Sequence, residues 1–169
     1  LLPGANLDSV RTDVPGVISV FVLPPAEVQL GGAPRPTAGL LRDVYTYLDE
    51  RKLLGTELYV LSPEFIPVAV SLSVEVLDPS IITETFNAIN QAVLAYLWVR
   101  PPGGPRGAGW PMARAVEANE ILTVAARVAG VLAVNHVRLF YQNRSQVWVE
   151  AQKIHLTRYQ LPELLGVET

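Results

Sequence analysis

A chain of 169 residues buries roughly 68–70% of its unfolded surface, enough for a core without covalent staples. It has no cysteine, which excludes disulfides and thiolate metal sites. With 13 Lys+Arg against 16 Asp+Glu, a net charge of -3 and no basic run, it has the wrong sign for a dedicated nucleic-acid binder.

Only 17% of residues are charged while 50% are hydrophobic, against about 25% charged in ordinary soluble domains. Permanent interfaces are depleted in charge at their centres, so part of the surface is expected to be covered by other protein. The competing reading is a compact monomer with a neutral surface. No apolar run approaches the ~18 residues a membrane helix needs, and the start lacks the basic and apolar blocks of a signal peptide. Opening at Leu1-Leu2-Pro3, the chain reads as a fragment of a longer polypeptide or as a trimmed product.

Residues 1–14 lack periodicity and read as a tether. Pro15-Gly16 is a turn, and the β-branched apolar run at 17–23 predicts a strand covered on both faces, ended by Pro24-Pro25. A Gly/Pro loop at 31–36 follows. Thr37 is placed to cap a helix whose stripe is Leu40, Leu41, Val44, Tyr47 and Leu48, stopped at Gly55. With a strand at 57–61 this predicts a right-handed βαβ crossover over 15–62.

Residues 63–158 predict a second α/β subdomain. Val68, Val70, Leu72, Val74 and Val76 alternate with Ala69, Ser71, Ser73 and Glu75, giving one dry and one more polar face. Asp78-Pro79-Ser80 opens a helix with Ile82, Phe86, Ile89, Val93, Tyr96 and Leu97 on one stripe. A mobile Gly/Pro loop is predicted over 100–114. A third helix with Ile121, Val124, Ala125 and Val128 stops at Gly130. A strand over 131–141 turns at Gln142-Asn143-Arg144-Ser145 and returns over 147–156 as a hairpin; 159–169 reads as a C-terminal tail. The order β-α-β-β-α-α-β-β predicts the α+β class. It implies mixed sheet or sheets with helices packed on one side, a βαβ unit followed by a β-α-α-β-β unit. The arrangement is two-layered, a ferredoxin-like one being one form of it.

Residue types that do bond chemistry are scarce. His136 and His155 have no carboxylate or second histidine at ligand spacing, and nucleophile-elbow, P-loop and dinucleotide fingerprints are absent. The glycines of 103–109 are not followed by a Lys-Ser/Thr pair, and the prolines remove N–H donors that a phosphate cradle would use. Glu117 and Glu120, at i, i+3, sit where a first helical turn favours acids anyway. Asn143-Arg144-Ser145 matches a glycosylation acceptor without a secretory context. No catalytic residue, cofactor or metal ligand is assigned. The candidates are interface residues of the loop: Arg100, Arg106, Trp110, Met112 and Arg114. Trp110 would anchor the loop by burying about 150–250 Å², and the arginines suit partner carboxylates or, together, an anion clamp.

Three landmarks carry a family resemblance. They are Asp13-Val14-Pro15-Gly16-Val17 with the later helix ending Leu48-Asp49-Glu50-Arg51; Ile66-Pro67-Val68-Ala69-Val70; and Gly109-Trp110-Pro111 followed by Val128-Ala129-Gly130-Val131 and Leu161-Pro162-Glu163-Leu164. In this order and spacing, from about Thr12 onward, the chain resembles the C-terminal half of the baseplate J-like family, wedge proteins of contractile phage tails and related injection systems. Met112-Ala113 stands where that family usually has Phe-Gly. The resemblance implies a structural part without an active site or cofactor, assembled in the bacterial cytoplasm into a tail-like particle. Its implied partners are other baseplate wedge subunits and copies of itself in a six-fold assembly, with neither nucleic acid nor membrane. Of the alternatives, a small-molecule-binding regulatory α/β module would use residues 101–114 as a lid; an enzyme would need a cleft that these residues do not demand.

Overall fold

The computed structural model describes residues 15–25 and 32–169. The expected tether at 1–14 and the start of the 31–36 loop lie outside the described residues. The chain forms two compact units, one from residues 15–25 and 34–64, the other from 32–33 and 65–169.

In the first unit, β1 (Val17–Phe21) and β2 (Glu57–Leu61) pair in parallel from Val17↔Glu57 to Phe21↔Leu61. Parallel neighbours require a crossover, and α1 (Ala38–Asp49) supplies it. The Thr37 hydroxyl accepts from the Leu40 N–H at 3.2 Å, so the expected cap is present. The α1 stripe is only half-covered: no residue of the helix is buried, and Tyr47 is 60% exposed. Among the described residues of this unit Leu58 is buried, as are Pro34 and Pro63.

The second unit holds the main core. Its sheet has the order β6-β5-β3-β8, with β3 (Glu64–Val76) antiparallel to β5 (Val131–Gln142), and β5 antiparallel to β6 (Trp148–Ala151). Alternation sends Val68, Val70 and Leu72 of β3, with Val137 and Leu139 of β5, to one buried face. Ser73, Glu75, His136 and Arg138 remain exposed on these strands. A one-turn helix at Pro79–Ile81, capped by Asp78 accepting from the Ser80 N–H at 2.9 Å, leads into α2 (Ile82–Leu97). α2 contributes Thr85, Ile89, Val93 and Leu97 to the core, and α3 (Ala118–Ala126) contributes Ala118, Ile121 and Ala125. The α+β class is as expected.

Three details differ from the sequence reading. Both helices fall between β3 and β5, whereas a ferredoxin-like unit distributes them over two crossovers, so that form does not apply. The return over 147–156 is not one strand. It breaks at Gln152, after which β7 (Lys153–Ile154) leaves the sheet to pair with β4 (Val116–Glu117). The Gln152 carbonyl instead accepts from the Ala118 N–H at 3.0 Å. Finally, 159–169 is no tail: β8 (Gln160–Glu168) is a sheet strand with Leu161 and Pro162 fully buried. Glu163 Oε1 accepts from the Ala33 N–H at 3.0 Å.

Candidate functional site

The segment joining α2 to β4 is knitted by its own backbone, which corrects the expectation of a mobile connector. Gly103 N–H donates to Arg100 O (2.7 Å), Gly104 to Tyr96 O (2.9 Å), Gly109 to Gly103 O (2.7 Å), and Trp110 to Trp98 O (3.2 Å). The last bond closes the loop at its base. Such closeness demands glycine. A Cβ on Gly109, whose φ is +92°, would stand 2.5 Å from Val99 O, and one on Gly103 would stand 2.3 Å from Trp98 O. The glycines therefore serve main-chain packing rather than a phosphate.

Trp110 is 4% exposed and forms the centre of a side-chain cluster. Its Nε1 donates to Arg114 O at 3.2 Å, and its ring meets Tyr96 edge-on, with centroids 5.6 Å apart at 85°. The Arg114 guanidinium carbon lies 5.7 Å from the Trp110 centroid and the group is paired with Glu120. Glu120 also accepts from the Tyr96 hydroxyl at 2.9 Å. Burial first, and the Glu120 carboxylate second, push the Tyr96 phenol up to about 12. The arrangement ties the base of the loop together, while Arg114 Nε is buried without a hydrogen-bond partner.

Of the expected interface residues, the fold brings Trp110 and Arg114 together, leaves Arg100 and Met112 half-buried, and exposes Arg106. An anion clamp of three arginines does not fit this geometry, because Arg114 is committed to Glu120. Tyr96 and Glu120 belong to the cluster although the sequence singled them out only as a helix stripe member and as a partner for Glu117. The Glu117 carboxylate is turned to Lys153 Nζ at 2.7 Å, whose hydrogen bond holds it below the usual carboxylate range. Glu117 and Glu120 therefore serve different cations.

His136 and His155 are both exposed, and His155 lies just beyond β7 rather than in a strand. Asn143 Oδ1 accepts from the Ser145 and Val147 N–H groups, each at 3.0 Å, which gives the Asn143-Arg144-Ser145 segment a role in shaping the β5–β6 turn. Among the described residues no group of three or more His, Asp or Glu side chains is arranged to hold a metal ion. Nor is any helix long and apolar enough to cross a membrane.

The sequence matches no family model and no curated protein. In fold, the chain is similar to one in the cryo-EM structure of the anti-feeding prophage (AFP) baseplate, 6-fold symmetrised, with a TM-score of 0.59 and 19% sequence identity. The similarity covers 96% of this chain and 32% of that one, so this chain spans about a third of the length of the baseplate chain it matches. At this identity, what the two share is the fold.

Proposed function

We propose that this chain is a structural baseplate component of a contractile, phage tail-like injection system. In this reading it is a wedge protein that joins neighbouring wedges into the inner baseplate ring through protein–protein contacts. The observation that carries the reading is the fold shared with an AFP baseplate chain across 96% of the present chain. The charge-poor composition supports it independently, as do the landmarks resembling the baseplate J-like family. Its role is to hold partners, which are other wedge subunits and copies of itself in a six-fold hetero-oligomer. The titratable groups of the loop cluster are engaged with one another rather than assembled around a substrate. A lid over a small-molecule site is the weaker reading, because residues 98–110 are closed by main-chain hydrogen bonds.

The test is to tag the chain in its native host, purify tail-like particles and locate the tag by cryo-EM. Density at the baseplate, and loss of assembled baseplates on deletion, are the expected results. Recovery of the chain solely as a free monomer, with intact particles lacking it, would overturn the reading.

A further inference from the structure

We draw no further inference here: the strongest candidate, the outer edge of the main sheet at β6, where Val147 and Trp148 are 55% and 44% exposed, is an apolar edge unpartnered among the described residues, and nothing in the structure shows what covers it.

Discussion

The indole Nε1 of Trp110 donates to the main-chain carbonyl of Arg114, four residues downstream at 3.2 Å, so one side chain fastens the segment that follows the loop. Trp110 is also 4% exposed and packed edge-on to Tyr96. Trp110→Ala should therefore cost about 3–5 kcal/mol, the usual range for truncating a buried Trp. Trp110→Phe retains much of the burial but leaves the Arg114 carbonyl without this donor. It should cost less, about 1–3 kcal/mol. Urea unfolding of the two variants checks the order; equal stability of parent and Trp110→Ala would remove the anchor.

Glycine at 109 is required by two separate constraints, and a comparison with Gly55 separates them. Both have positive φ, +92° and +83°. Nothing lies within 4 Å of a Cβ at Gly55, while one at Gly109 would meet Val99 O at 2.5 Å. Gly55→Ala should then cost only the left-handed backbone penalty, about 1–2 kcal/mol. Gly109→Ala adds displacement of the loop backbone, for a total on the order of 3 kcal/mol or more. Thermal melts of both variants test this, and a Gly109→Ala loss no larger than that of Gly55→Ala would contradict the close approach.

Elements with an unbroken period were legible from the residues alone. The α1 helix with its Thr37 cap, the Val68–Val70–Leu72 alternation and the Ile89–Val93–Leu97 face appear as read, although the α1 stripe is only half-covered. β8 was not legible, because Pro162, Glu163 and Gly166 interrupt its pattern and a proline demotes a strand assignment. The fold resolves this by placing β8 at the sheet edge, where proline is tolerated. At the loop, Trp110 between Gly109 and Pro111 announced an anchor. Its partners did not announce themselves, since Tyr96 and Glu120 lie 24 residues apart and meet only through the packing of α2 against α3.

The Tyr96 phenol should make the loop sensitive to alkali. Its folded value of about 12 lies above the ordinary 10.0, so the folded state retains a proton that the unfolded chain releases first. The resulting stabilisation is fully present below pH 10 and is lost as pH rises through about 12. Tyr96→Phe removes the titrating group, so the difference in stability between parent and variant should shrink across that window. Denaturant titrations from pH 9 to 12 measure it. A pH-independent difference would show that burial and the Glu120 carboxylate do not raise the phenol in the folded state.

The assignment of residues 160–168 to the sheet makes a prediction opposite to that for a dispensable tail. Leu161 is 1% exposed, Pro162 is fully buried beside it, and Glu163 holds the Ala33 N–H at 3.0 Å. Leu161→Ala removes buried methyl groups from a packed site, so its cost should be about 2–5 kcal/mol. Leu165, on the same strand but 57% exposed, is the internal control, and Leu165→Ala should stay within about 0.5 kcal/mol of the parent. Truncation after Tyr159 should abolish the cooperative transition of the second unit, because it removes a whole strand neighbouring β3 together with its contact to α2. Guanidinium unfolding followed by circular dichroism distinguishes the cases. A truncated chain melting like the parent would return this segment to a tail and leave the outer edge of the sheet at β3.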